Sequence, residues 1–298
     1  MFSGLSMKVL NKPIIIGFVA DLLFTAKIDD IAERMGYHIF WLERADQIIQ
    51  IELKVSNAKL TDRIIVTEWI LLDQITRMHP ALMIFDLSNN MIPWREWLPV
   101  LKSASATRRI PVICFGSHVD TQSFQVARSA GADVVLARSR FIADLPGLIQ
   151  KYSRWPDEKE LEKACDQKLS QLAFKGLEQF NRGDYFLAHE SLEEAWNIDR
   201  TPGRELYRAI LQVVVAYLQI ERENYPGAVK MFLRLRQWID PLPDTCRGVN
   251  VARLRQDANN VYDALIQLGA ARIGEFDRTL FRSVIYDREQ SKDPDEGG

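Results

Sequence analysis

Apolar and polar positions follow two different periods along this chain. In the first half, short runs of β-branched and aromatic residues alternate with stretches of helical spacing. Pro13 to Ala20 reads as a fully apolar strand, Ile28 to Met35 as a helix stopped by Gly36, and Tyr37 to Leu42 as a second strand. A helix over Thr67 to Met78 follows, then a strand over Ala81 to Asp86 and a helix over Pro93 to Ala104. The last pieces are a strand over Ile110 to Phe115, a helix over Thr121 to Ala130 closed by Gly131, a strand over Val134 to Ala137 and a helix over Phe141 to Tyr152. Strand and helix alternating in this way predict βαβ units, hence a parallel sheet of five strands covered on both faces. Ligands of such sheets bind at the carboxyl ends of the strands.

Beyond Arg154-Trp-Pro-Asp157 the strand-like runs stop and 3.6-residue periodicity takes over. Helices are predicted over Asp157 to Asn181, Tyr185 to Asn197, Arg204 to Arg222, Pro226 to Ile239 and Val251 to Leu268. Asn181-Arg-Gly183, Thr201-Pro-Gly203, Tyr225-Pro-Gly227 and Pro241-Leu-Pro243 punctuate them, and such short connections make neighbouring helices antiparallel. The predicted fold is therefore α/β plus all-α: a flavodoxin-like, doubly wound sheet over residues 1–154, an antiparallel helical bundle over 155–290, and a polar tail over 291–298.

Composition narrows the function classes. Among 298 residues, 38 Lys and Arg face 40 Asp and Glu, a net charge of -2, which gives no general attraction to nucleic acid. Cys114, Cys165 and Cys246 are odd in number and widely spaced without a CxxC pair, so neither a disulfide framework nor a thiolate zinc site is expected, and a reducing compartment fits. The richest apolar run, Ala209 to Ile220, carries Gln212 and Gln219 and is shorter than the roughly 20 residues that span a bilayer. The apolar run near the N-terminus meets Asp21 rather than a cleavage site, so a cytoplasmic protein without a membrane partner is expected. Nucleotide-loop and serine-hydrolase motifs are absent from the sequence.

The positions of a few polar residues then become recognisable. Asp86 ends the third predicted strand, Gly116 stands 30 residues on and Arg138 52 residues on, and Asp21 follows the first strand. This pattern resembles the receiver domain of bacterial response regulators, over about residues 11–152. The resemblance implies a phosphoryl-accepting carboxylate at Asp86, an acidic pair after strand one for Mg²⁺, a hydroxyl after strand four and a lysine after strand five. Here Ala20 replaces one acid, Gly116 lacks the hydroxyl although Ser117 is adjacent, Arg138 replaces the lysine, and Ser139 replaces the proline that follows it. Arginine is a planar fork rather than a compact ammonium, so that exchange is not conservative. Asp86 can also be read as capping the turn Ser88-Asn89-Asn90 and pairing with Arg138. His118 reads as a surface loop residue, and an extra segment at about 50–66 as a hairpin or loop beside the sheet.

In the second half, Phe180-Asn-Arg-Gly-Asp-Tyr-Phe-Leu-Ala-His-Glu-Ser-Leu-Glu-Glu-Ala-Trp196, with Ala209-Ile-Leu-Gln212 and Asn224-Tyr-Pro-Gly-Ala228, is similar to domain-of-unknown-function family 309. The resemblance covers about residues 165–242 and implies a compact bundle with no established reaction. His189 and Glu193 are i, i+4 neighbours at the margin of the buried face, and Gln212 falls in an almost wholly apolar helix with Arg208 one turn before it. These four are expected to form a polar cluster between two helices. It reads either as a satisfied hydrogen-bond network that fixes helix register or as a ligand or metal site, although the HExxE pattern supplies few ligands for zinc or iron. Tyr185, Trp196, Tyr207, Tyr217 and Trp238 read as core rather than an aromatic cage, and the arginines at 234, 236, 247, 253, 255, 278 and 282 as an ion-paired solvated surface.

The sequence thus points to a non-enzymatic, bacterial-type signalling or scaffolding protein, with a degenerate receiver domain and a helical bundle that binds a protein partner or a second copy of the chain. Two other readings remain open. One is a working response regulator, with Asp86 as acceptor, Asp21 holding Mg²⁺ and Arg138 reading the phosphoryl group. The other is a metal- or ligand-binding helical protein centred on His189 and Glu193. Mg²⁺ is called for only if Asp86 is a working phospho-acceptor, and His189 and Glu193 are the candidate ligands of any other metal.

Overall fold

A computed structural model describes residues 12–49 and 60–287. The chain divides into two compact units, Met1–Trp155 and Pro156–Gly298. Among the described residues, no helix is long and apolar enough to cross a membrane.

The first unit runs β1 (Ile14–Phe18), α1 (Leu22–Arg34), β2 (His38–Trp41), α2 (Asp46–Ile49), α3 (Leu60–Met78), β3 (Leu82–Asp86), α4 (Trp94–Ser103), β4 (Val112–Gly116), α5 (Thr121–Ser129), β5 (Val134–Ala137) and α6 (Arg138–Tyr152). The five strands form one parallel sheet in the order β2-β1-β3-β4-β5. Alternation along each strand splits the core in two. Ile16, Phe18, Met83, Phe85 and Cys114 face α3, α4 and α5 through Ile75, Trp97, Leu101 and Ala127. Ile15, Ile84, Ile113 and Phe115 face α1 and α6 through Ile28, Phe141, Leu145 and Ile149. This is the doubly wound architecture expected, with the strand ends that carry Asp86 and Gly116 on one rim.

Several local readings are corrected. Helix α1 begins at Leu22 rather than Ile28, because the Asp21 carboxylate accepts from the Phe24 amide and starts the helix six residues earlier. Of the extra segment, residues 60–66 are the opening turns of α3 rather than a hairpin or loop; residues 50–59 lie outside the described residues. Four residues form the short helix α2, which apolar periodicity had no length to reveal. Helix α3 ends at His79, whose backbone is left-handed (φ 44°), and Pro80 prevents continuation.

The second unit runs α7 (Glu158–Cys165), α8 (Gln171–Arg182), α9 (Tyr185–Ile198), α10 (Glu205–Glu221), α11 (Tyr225–Ile239), β6 (Thr245–Cys246), β7 (Val249–Asn250) and α12 (Val251–Leu268). Helix α10 is the centre, burying Leu206, Tyr207, Ile210, Val213, Val214 and Tyr217. Helices α8 and α9 approach closely at Gly176, where a Cβ would lie 2.7 Å from Leu192 Cγ. Between them Gly183 adopts φ 85° as the left-handed cap of α8. Beyond α12, residues 276–287 return along the bundle: Asn181 donates its side-chain amide to the Val284 carbonyl at 2.9 Å and accepts the Val284 N–H at 2.7 Å.

Three expectations fail here. The single helix predicted over residues 157–181 is two, α7 and α8, because Ser170 caps a new start by accepting from the Ala173 amide. A hairpin, β6–β7, stands where none was expected, with Arg247 and Gly248 both at positive φ in its turn. Cys165 and Cys246 form a disulfide across 81 residues, and only Cys114 is a free thiol. Cysteine parity and spacing did not reveal a pair so distant, and the argument from cysteine usage to a reducing compartment falls with it.

Candidate functional site

The polar constellation of the first unit is built by the ends of β1, β3 and β5. Asp86 is the last residue of β3, 4% exposed, and sits in register with Phe115. Its Oδ1 accepts the Ser88 N–H at 2.9 Å and its carbonyl accepts the Asn89 N–H at 3.0 Å, so the carboxylate also organises the turn after the strand. Its Oδ2 accepts from Arg138 Nη2 at 2.7 Å. Arg138 opens α6 directly after β5 and places its second arm, Nη1, 3.4 Å from Asp21 Oδ2. The guanidinium also lies 5.1 Å from the Phe24 ring centroid and 5.7 Å from that of Phe115, which favour a cation over their faces. One arginine therefore links both carboxylates of the pocket.

The remaining receiver-pattern positions do less. Gly116 is closely packed: a Cβ there would come 3.3 Å from both Leu87 Cβ and Phe124 Cε1, so a hydroxyl-bearing side chain would need these neighbours to give by a few tenths of an ångström. Ser117 is exposed and makes no hydrogen bond to Asp86 or Arg138. His118 is exposed as well.

A magnesium ion wants several oxygen ligands in near-octahedral array. Asp86 and Asp21 would be its carboxylates, yet both already face the same guanidinium, and position 20 is alanine. Among the described residues, no group of three or more His, Cys, Asp or Glu is placed to hold a metal ion. The donor set does not fit Mg²⁺ while Arg138 keeps this position.

The expected four-residue cluster of the second unit does not assemble as a network. His189 Nδ1 and Glu193 Oε2 are 3.9 Å apart on the partly open face of α9. Arg208 instead stacks on aromatic rings, 3.7 Å from the Trp238 centroid and 4.7 Å from that of Trp196, and lies 3.7 Å from Glu205. Gln212 is 8% exposed and its Oε1 is buried without a hydrogen bond among the described residues, so the satisfied network read from the sequence is corrected. The gain of stacking a guanidinium on two indoles outweighs a reach toward the amide. Tyr185, Tyr207 and Tyr217 are core as expected; Trp196 and Trp238 are only half-buried.

The basic-surface reading is also corrected at two positions, because Arg236 and Arg247 are buried. Arg247 is a hub: Nη1 pairs with Asp199 Oδ2 at 2.7 Å and bonds the Tyr207 hydroxyl, Nη2 donates to Thr201 Oγ1 at 2.7 Å, and Nε donates to the Ala164 carbonyl at 3.3 Å. With the neighbouring disulfide it ties the β6–β7 turn to α7. Alternation around Arg247-Gly248 was the available sequence signal for the hairpin.

The sheet order, the acidic residue ending β3 and the cation after β5 define the first unit as receiver-like in class. The comparisons bear on each unit in turn. The model of "Domain of unknown function (DUF309)" matches residues 174–231, from α8 into α11. The first unit is similar to solved receiver domains. One, from a sensor histidine kinase of Pseudomonas aeruginosa PAO1 with a magnesium ion coordinated in its active-site cleft, is 13% identical over 47% of this chain and 97% of that one, with TM-score 0.36. A receiver domain from Rhodospirillum rubrum is 18% identical over 48% of this chain and 96% of that one, with TM-score 0.34. A match that extends beyond the first unit is full-length FixJ from B. japonicum, 15% identical over 75% of this chain and 97% of that one, with TM-score 0.32. No match to a curated protein was found.

Proposed function

We propose that this is a regulatory protein whose receiver-like unit is held in one state by its own arginine, in place of a phosphorylation cycle, while the helical unit serves as the interaction module. The observation that carries this reading is the 2.7 Å bond from Arg138 to Asp86, with the same guanidinium reaching Asp21. The guanidinium supplies internally the positive charge that Mg²⁺ would otherwise bring to the two carboxylates. The crowding at Gly116 and the alanine at position 20 agree with it. On the helical side, α9 leaves Phe186, Leu187 and Ile198 exposed, apolar surface suited to a protein partner or a second copy of the chain.

The test is incubation of the full chain with acetyl phosphate and Mg²⁺, followed by intact mass. The expected result is no adduct that depends on Asp86. An adduct present in the natural protein and lost in Asp86→Asn overturns the reading in favour of a working phospho-acceptor.

A further inference from the structure

A cavity in the second unit lies where the returning C-terminal segment crosses the α8–α9 turn, and has a volume of about 350 Å³. Its lining includes Arg182, Arg278 and Arg282 against one carboxylate, Glu221, with the Tyr185 and Phe281 rings among its walls. Two of the cations come from the returning segment and one, Arg182, is the last residue of α8, so the cavity exists because that segment is docked. Three bonds or contacts fix it there: the two-way Asn181–Val284 pairing, and Phe281 stacked on Tyr217 at 3.9 Å.

The charges are not already spent. Arg278 makes no ion pair or side-chain hydrogen bond among the described residues. Arg282 feels Asp277, whose carboxylate is engaged in capping the Thr279 amide at 2.9 Å. Arg182 lies 3.8 Å from Asp184, a long pair between two well-exposed groups. Tyr185 is 9% exposed and lines the cavity, and its hydroxyl makes no hydrogen bond among the described residues. Burial and the nearby Glu221 push that phenol up to about 12, so it stays an O–H donor at neutral pH. A hydroxyl donor that lines one open cavity with three guanidiniums is arranged to meet an anion, and arginine forks suit the oxygens of a phosphate.

We infer that this cavity binds a small phosphate monoester with an aromatic or apolar body, its phosphate held by Arg182, Arg278, Arg282 and the Tyr185 hydroxyl, its body against the Phe281 ring. Glu221 opposes the phosphate and sets a modest affinity. This site is independent of Asp86 and of the reading given to the first unit.

Calorimetric titration of the full chain with phenyl phosphate tests it, with inorganic phosphate and phenol as companion probes. Phenyl phosphate is expected to bind saturably, inorganic phosphate more weakly and phenol not at all. Arg278→Ala with Arg282→Ala, both exposed and away from the core, is expected to weaken binding at least about tenfold per arginine. Glu221→Gln is expected to tighten it, and Tyr185→Phe to weaken it a few-fold without unfolding the bundle. Absence of phenyl phosphate binding, or binding unchanged in the double arginine variant, overturns the proposal. Loss of binding in Asp86→Asn with Arg138→Ala, rather than in the arginine pair, also overturns it by placing the anion in the first unit.

Discussion

Arg138 Nη2 lies 2.7 Å from Asp86 Oδ2, joining the first residue of α6 to the last residue of β3 across the carboxyl rim of the sheet. The Asp86 side chain is 5% exposed and that of Arg138 36%, so the pair is buried at one end and wet at the other. Removing the arginine leaves a nearly enclosed carboxylate with one backbone partner. Urea unfolding of Arg138→Ala, Asp86→Ala and the double variant is expected to give a coupling energy of about 1 to 3 kcal/mol. Additive effects would mean that the bond carries no weight in the fold.

The disulfide gives a second expectation. Closing 81 residues between Cys165 and Cys246 restrains the unfolded second unit, and its loss is expected to cost about 2 to 4 kcal/mol. Thermal unfolding with and without reductant should show the second unit melting earlier when reduced, while the first unit holds its midpoint. Thiol counting on denatured protein should find one thiol before reduction, from Cys114, and three after. Three thiols in protein purified without reductant would contradict the pairing.

His79 sets a pH dependence in the first unit. Burial lowers its pKa to about 4 from the ordinary 6.5, so the folded state takes up its proton later than the unfolded state does as pH falls. Stability is therefore intact above pH about 6.5 and declines as pH falls toward about 4, by at most about 3 kcal/mol. His79→Asn removes the titrating group and tolerates the positive φ of 44°. Its stability between these pH values should fall less steeply than that of the natural protein; parallel curves would rule His79 out as the source.

Gln212 offers a test of opposite sign. Its Oε1 is buried in α10 without a partner, so Gln212→Leu is expected to be neutral or to stabilise the bundle by about 1 kcal/mol. A loss exceeding 2 kcal/mol by denaturant unfolding would show that the amide has a role in the bundle that its surroundings do not reveal.

The sequence was most informative where one period ran uninterrupted. Ile14–Phe18 and Leu82–Asp86 announced the sheet, and the apolar run in Glu205–Glu221 announced the central helix. It was least informative where tertiary partners decide. The break between Cys165 and Gln171 depends on a cap at Ser170, and the β6–β7 turn depends on Arg247 finding Asp199 and Tyr207 far away in sequence. At the first site, positions 86 and 138 were legible from spacing alone, whereas the direction in which Arg138 points required the fold. The cavity of the second unit was not legible, because Arg278 and Arg282 meet Arg182 only after the chain doubles back.

On the function proposed above, Arg138 occupies the acidic rim where a metal and an exchangeable phosphoryl group would sit. Fluorine NMR of the full chain with beryllofluoride and Mg²⁺ tests it directly, because this mimic seats on a receptive aspartate and gives bound resonances distinct from those of the free species. Only free resonances are expected for the natural protein. Bound resonances that vanish in Asp86→Asn would contradict it.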